Sequence, residues 1–382
     1  MLQNKQRPRV AANLCFVESR GLTGPGYYAV QVFENLALLA ENGELDFELK
    51  GYIQDNARHH FSLRALAHLT TVGSFSGRVT RVVYEQAVLP FRSRRERVDI
   101  LWSPAFVSPC WGARYLTATI HDMYYEVVPE TVERWQKYYW AMMVPLTAIV
   151  CEGLLVNSTN TRRDVVRHLP VDEDRIFVTP LASRIHAEQF SPQPRLVQER
   201  YALFVANTTP NKNCRRVMEA LARLDELGHP LKLLHIGKDI EGNLRHTASQ
   251  LGAEDQLISL GQVSEDEIVS AYQHCEFTIV ASLYEGFGMP AAEALAMGAP
   301  LICSDRSALP EAAGGLEARA ALFVDPTNTS ALLDAMVRLL DDPVLRAELV
   351  KNGLEHARTM SWQKTARLTA AAFRTMAPQA FQ

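Results

Sequence analysis

Short apolar runs alternate with stretches of helical spacing along most of this chain. Val10 to Val17 is apolar except at Asn13 and has the length of a strand buried on both faces. It leads through Gly21-Leu-Thr-Gly-Pro-Gly26 into Tyr27 to Ala40, where Val30, Phe33, Leu36 and Leu39 recur at helical spacing. Phe47 to Ile53, Ile100 to Ser103 and Leu116 to Ile120 read as further strands, with a polar and basic segment between the first two. Tyr138 to Val150 reads as a helix, Gly153 to Asn157 as a strand, and Ser158 as the cap of a helix through Arg167. After the strand Ile176 to Thr179, Pro180, Pro192 and Pro194 punctuate a stretch without periodicity, the best candidate linker.

From Tyr201 the alternation becomes regular. Strands are expected at Ala202 to Ala206, Leu231 to Ile236, Leu257 to Gly261, Phe277 to Ala281, Pro300 to Ser304 and Ala321 to Val324. Helical stretches separate them, and Ser264-Glu-Asp-Glu267 forms a capping box for one. Such a βαβ series implies a parallel, doubly wound sheet. After Val324 the chain is helical nearly to its end, with Trp362 and Phe373 as apolar anchors. At 382 residues the chain exceeds what one core usually serves, so two domains are expected.

Composition narrows the function classes. A formal net charge of -4 argues against a nucleic-acid binder, which usually carries a basic surplus. The cysteines Cys15, Cys110, Cys151, Cys214, Cys275 and Cys303 show no C-x-x-C spacing, as expected for reduced thiols in a cytoplasmic protein. Met1 to Val10 is polar and basic with no long uncharged apolar run after it, so neither a signal peptide nor a spanning helix is expected. Arg92-Ser-Arg-Arg-Glu-Arg97 beside Leu89-Pro-Phe91 reads either as a solvated loop or as a peripheral contact with an anionic membrane.

Chemistry concentrates in Ala281 to Leu295 (ASLYEGFGMPAAEAL). Glu285 and Glu293 bracket a glycine-containing turn, and Pro290 suits the first turn of the helix that follows. Gly286 and Gly288 let backbone amides approach a ligand closely, and a helix N-terminus favours negative charge. A phosphate-bearing, hydroxyl-rich ligand fits. In Phe204 to Asn213, Lys212 offers a cation to a diphosphate and Asn207 a neutral donor. His121-Asp122 closes a strand where open α/β sheets bind ligands. The Gly24-Pro-Gly26 turn reads either as part of a phosphate cradle or as a tight turn of any α/β protein. Asp172-Glu-Asp174 reads as a charged turn rather than a metal site. No G-x-S-x-G, H-E-x-x-H or P-loop pattern occurs.

Together, Glu285-x7-Glu293 around Gly-Phe-Gly-Met-Pro, the Asn207/Lys212 pair, His121-Asp122, Gly24-Pro-Gly26 and Ser307-Ala-Leu-Pro-Glu-Ala-Ala-Gly314 resemble the family 4 glycosyltransferases over nearly the whole chain. That resemblance implies an α/β GT-B fold of two Rossmann-like, doubly wound domains with an interdomain cleft. Its acceptor-binding domain would take residues 1–185 and its nucleotide-sugar domain 196–359, with a C-terminal helix, about 360–382, crossing back. Glu285, Lys212 and His121 would be the catalytic residues, with Lys212 also facing the diphosphate. Gly24, Gly26, Asn207, Gln262, Val263, Ser282, Gly286, Phe287, Gly288, Met289, Pro290 and Glu293 would bind the donor. Glu293 would take the ribose hydroxyls, and the amides of Phe287 to Pro290 the sugar and phosphates.

The implied reaction is retaining hexosyl transfer without a metal or other cofactor. The Asn-x-x-Pro-x-Lys-Asn pattern, with Asn207 where many members have arginine, resembles bacterial polysaccharide and O-antigen transferases. The best expectation is mannose from GDP-mannose to a glycan or polyprenyl-linked acceptor, in the cytoplasm or at the inner face of the membrane. A GT-B-fold epimerase or hydrolase and a catalytically silent nucleotide-sugar-binding subunit are the alternatives.

Overall fold

The computed structural model describes residues 7–19, 21–128 and 134–382, and the chain divides into two compact units. Of the described residues, the first holds those up to Val127, residues 134–181 and Trp362–Gln382; the second holds Ala182–Ser361 with Val128.

The first unit is built on the strands β1 (Arg9–Asn13), β2 (Glu48–Ile53), β3 (Leu69–Thr71), β4 (Ile100–Ser103), β5 (Tyr115–Ile120), β6 (Gly153–Val156) and β7 (Ile176–Val178). They form one parallel sheet in the order β3-β2-β1-β4-β5-β6-β7. Every residue of β4, β5 and β6 is buried, which is why these strands read as unbroken apolar runs rather than alternating ones. β3 was not expected. It is a half-buried edge strand of three residues, too short to leave a period.

Gly24 and Gly26 lie inside the first turn of the helix Gly24–Glu41 rather than in a turn before it. Thr23 caps that helix by accepting the Gly26 N–H at 3.4 Å, and Pro25 takes a position where its missing N–H is not needed. The C-terminal helix Trp362–Met376 packs on the same helix. Its buried face is Trp362, Thr365, Ala366, Thr369, Ala370 and Phe373. Trp362 meets Tyr27 edge-on with ring centres 5.8 Å apart, and Phe373 meets Trp102 of β4 at 5.7 Å. The helix therefore returns to the first unit, as expected of the fold.

The second unit carries β8 (Tyr201–Val205), β9 (Lys232–Ile236), β10 (Leu257–Gly261), β11 (Phe277–Val280), β12 (Leu301–Ser304) and β13 (Leu322–Val324), parallel in the order β10-β9-β8-β11-β12-β13. The capping box opens the helix Glu265–His274, with Ser264 and Glu267 exchanging side-chain to backbone bonds. In both sheets the order reverses beside the unit's first strand, between β1 and β4 and between β8 and β11. Loops leaving two such neighbours diverge to opposite faces and leave a crevice at their carboxyl ends, where ligands of this sheet type bind.

Candidate active site

In the second unit the crevice lies between the loop after β8, Ala206 to Asn213, and the loop after β11, Ala281 to Gly288. Hydrogen bonds stitch the two together. Leu283 N–H donates to Asn211 O at 2.7 Å, and Asn211 Nδ2 donates back to Tyr284 O at 3.1 Å. Asn213 Nδ2 reaches Ala281 O at 3.1 Å and Pro326 O at 2.7 Å. Asn213 sits at φ +61°, a left-handed conformation that asparagine tolerates better than most residues. Two buried asparagines therefore hold the backbone on either side of Lys212, while the lysine side chain stays partly open.

Lys212 Nζ donates to Glu285 Oε1. The same carboxylate oxygen accepts Ser282 Oγ at 2.7 Å, and the Glu285 N–H donates to Ser307 Oγ at 2.9 Å. The cation and carboxylate that sequence reasoning placed in one site are thus in direct contact. Charge-assisted bonds of this kind are short and about twice as strong as neutral ones, so the pair holds both side chains in place.

Behind Glu285 the chain turns through Gly288 into the helix Met289–Met297. Gly288 has φ +100°, and a Cβ there would sit 2.4 Å from Leu309 Cδ2, so conformation and space both require glycine. The N–H of Met289 precedes the helix's own acceptors, so it and the amides of Phe287 and Gly288 lie at the positive end of the helix. Pro290 has no N–H, so the expectation that it donates to a ligand is corrected: its fixed φ opens the helix instead.

Glu293, one turn in, is only 3% exposed. Tyr272 Oη donates to its Oε2 at 3.0 Å, and Arg184 Nε lies 3.3 Å from its Oε1. Burial raises its pKa, with Arg184 pulling the other way. Asn207 Oδ1 accepts the Lys238 N–H at 2.9 Å, tying the loop after β8 to the loop after β9. Gly237 N–H donates to Gly261 O at 2.8 Å, which brings in the end of β10 and the exposed Gln262 and half-buried Val263 beyond it.

Gly24, Gly26 and His121 belong to the first unit. His121 ends β5 with both ring nitrogens engaged: Nε2 is 2.9 Å from Pro104 O and Nδ1 is 3.0 Å from Asn157 Nδ2. A carbonyl only accepts, which assigns the proton to Nε2. Burial pushes the pKa of His121 down to about 4, against the opposing pull of those two bonds. It is a neutral ring that ties the loop after β4 to β6's end, and in this state it has no free nitrogen for proton transfer.

The first unit's own crevice holds a cavity of about 430 Å³, lined among others by Asn13, Thr23, Glu85, Ser103, Phe106 and Trp140. Ser103 Oγ is buried there with no hydrogen-bond partner among the described residues. Glu85 lies 3.8 Å from Arg81, and burial pushes its pKa up to about 7. Neither residue carries a motif. Arg184, Tyr272 and Ser307 were likewise missed as site residues, because only tertiary contact brings them to Glu293 and Glu285.

Residues 186–356 match the family described as glycosyl transferases group 1. The chain is 25% identical to the O-antigen chain mannosyltransferase B of Escherichia coli, over 93% of this chain and 97% of that protein. It is 29% identical to the MMP alpha-(1->4)-mannosyltransferase of Mycolicibacterium hassiacum, over 63% of this chain and 58% of that protein. In fold it is similar to the sucrose-phosphate synthase of Thermosynechococcus elongatus, with a TM-score of 0.74, 19% identity and coverage of 98% and 100% of the two chains. It is also similar to WaaG, a glycosyltransferase involved in lipopolysaccharide biosynthesis, with a TM-score of 0.71, 15% identity and coverage of 94% and 98%.

Two parallel-sheet Rossmann-like units with these neighbours define the GT-B fold, and the matched domain together with the named relatives makes the chain a glycosyltransferase. Within that class the second unit is similar, over residues 186–356, to the group 1 glycosyl transferases.

Proposed function

We propose that the chain is a retaining, metal-independent hexosyltransferase that uses a nucleotide-diphosphate sugar, best GDP-mannose, and extends a glycan or lipid-linked glycan of a bacterial surface polysaccharide. The contact of Lys212 with Glu285 beside a helix N-terminus, at the β8/β11 switch point, carries this reading. The two mannosyltransferase relatives support the sugar.

The C1–O bond of the donor breaks with its electron pair moving to the diphosphate, while the acceptor oxygen bonds to C1 and releases its proton. Negative charge grows on the departing diphosphate. Lys212 and the amides of Phe287, Gly288 and Met289 stand ready for it, and preorganised donors of this kind lower a barrier most where charge develops. Glu285 exchanges its lysine partner for hydroxyls of the sugar, and Glu293, held by Tyr272 and Arg184, takes the ribose. The first unit's cavity, with Ser103 Oγ unpartnered in a wall that also carries Asn13, Thr23 and Glu85, supports acceptor binding there.

The test is a thermal-shift panel of GDP-, UDP-, ADP- and dTDP-sugars, followed by product analysis with and without acceptor. Stabilisation by GDP-mannose and acceptor-dependent transfer support the reading. Turnover of the donor without any acceptor would make the chain an epimerase or hydrolase instead.

A further inference from the structure

The cavity of the first unit holds polar groups that the fold itself leaves unused. Ser103, at the end of β4, is 2% exposed, and its Oγ has no hydrogen-bond partner among the described residues. The buried Nε of Arg81 has none either. It stands 3.8 Å from Glu85 Oε2, within reach of an ion pair but beyond a hydrogen bond. All three side chains line the cavity.

Holding Glu85 in this wall works against the fold. Burial raises its pKa to about 7, although Arg81 and Asn13 both favour the charged form. The residue stands on a turn of π-helix, Tyr84–Val88, between the helical pieces Arg78–Val83 and Leu89–Arg95. Such turns are rare and recur at functional sites. A buried carboxylate, a widened turn and two unanswered bonding groups on one cavity belong to a site held ready for a ligand, at some expense in stability.

The wall's chemistry selects that ligand. Glu18 and Glu85 offset Arg78 and Arg81, so no surplus charge draws a phosphate or an acidic sugar. Phe106 and Trp140, with ring centres 5.9 Å apart, add apolar surface. A hydroxyl donates and accepts at once, so one can bridge Arg81 Nε and Glu85 Oε2 while another satisfies Ser103. A sugar ring carries such hydroxyls around an apolar face, whereas a hydrocarbon chain would leave the buried polar groups unanswered.

We propose that Glu85, with Arg81 and Ser103, recognises an uncharged pyranose at the end of the acceptor, Glu85 accepting from and Arg81 donating to the same sugar hydroxyl. The inference rests on reading this cavity as the acceptor side and names the residues and the acceptor class.

The experiment is saturation-transfer NMR and calorimetry of the full chain, without donor, against the methyl glycosides of mannose, glucose, galactose, rhamnose and N-acetylglucosamine. The methyl glycoside of glucuronic acid is the acidic counterpart. At least one neutral glycoside should bind and the acidic one should not. Glu85→Gln should weaken binding about 10-fold and Ser103→Ala about 3-fold. The parent's affinity should fall as pH drops through about 7 and the carboxylate takes a proton, while Glu85→Gln gives a flat profile. Besides Arg81, Glu85 faces the Cys15 thiol and the Tyr139 hydroxyl, both pushed up by burial, so neither titrates in that window. Glu85→Gln should also melt above the parent at pH 8 while binding the sugar less well. Loss of stability together with binding would mean a structural role and overturn the proposal. Binding of no glycoside, equal affinity in Glu85→Gln, or preference for the acidic sugar overturns it too. Transfer from a nucleotide sugar is measured separately, so it can stand when no glycoside binds here, and glycoside binding can stand in a chain that transfers nothing.

Discussion

Gly288→Ala separates two demands that the turn behind Glu285 makes on one residue. The first is conformational: φ is +100°, where an L side chain is strained at about 1–2 kcal/mol. The second is spatial, since the new Cβ would stand 2.4 Å from Leu309 Cδ2 and Leu309 is fully buried. Overpacking of this kind costs about 1–3 kcal/mol. The sum, about 2–5 kcal/mol, should appear as a lower urea midpoint with an unchanged slope. Leu309→Ala alone opens a cavity and costs about 2–5 kcal/mol. In the Leu309→Ala background the added methyl has room, so Gly288→Ala should cost only its conformational share. Four urea melts complete the cycle. A Gly288→Ala variant as stable as the parent refutes the reasoning outright. Equal costs in both backgrounds refute the steric half, and complete rescue refutes the backbone half. The turn also aims the amides of Phe287 and Met289, so donor affinity should fall more than 10-fold even in the relieved double variant.

Lys212→Ala and Glu285→Gln should each lower kcat about 10²–10³-fold in transfer assays. Because both side chains are partly open, their melting should stay within about 1 kcal/mol of the parent; unchanged turnover would remove them from the chemistry. Tyr272→Phe should weaken donor binding by about 1–3 kcal/mol by calorimetry, since it frees one oxygen of buried Glu293. His121 and Glu85 should pull stability in opposite directions. His121 has its pKa lowered to about 4, so its share of stability is complete above the ordinary histidine value and is lost as pH falls toward 4, up to about 3 kcal/mol. Glu85 has its pKa raised to about 7, so it destabilises increasingly as pH rises from the ordinary carboxylate range through 7. The two contributions therefore offset each other where their windows overlap, and urea melts of His121→Asn should lose less stability on acidification than the parent. Glu85→Gln should gain stability at pH 8 and none at pH 4.

The sheets were legible because parallel strands are buried on both faces, so β5 and β11 show as apolar runs bounded by turns. The helical run from Arg78 was not. Val79, Thr80, Val82 and Val83 are poor helix formers, and the exposure of Val79 and Val83 leaves no amphipathic stripe toward the core. In the site, Lys212 and Glu285 could be paired because each sits in a loop whose pattern marks a strand's end. Arg184 could not be assigned to Glu293, since nothing local to an irregular stretch foretells a contact made across the unit. His121 was legible in place but not in state. Its position at a strand end suggested chemistry, while the bonds that hold both nitrogens come from residues outside its own strand.

The second unit's Ala182–Ser361 is inserted between Leu181 and Trp362 of the first, so the helix that closes the first unit is made only after the whole of the second. During synthesis the later unit can complete its core while the earlier one still lacks Trp362 and Phe373 against Tyr27 and Trp102. Until that helix emerges, the first unit exposes the surface that it covers. A truncation before Trp362 would therefore injure the first unit while leaving the sheet of the second intact.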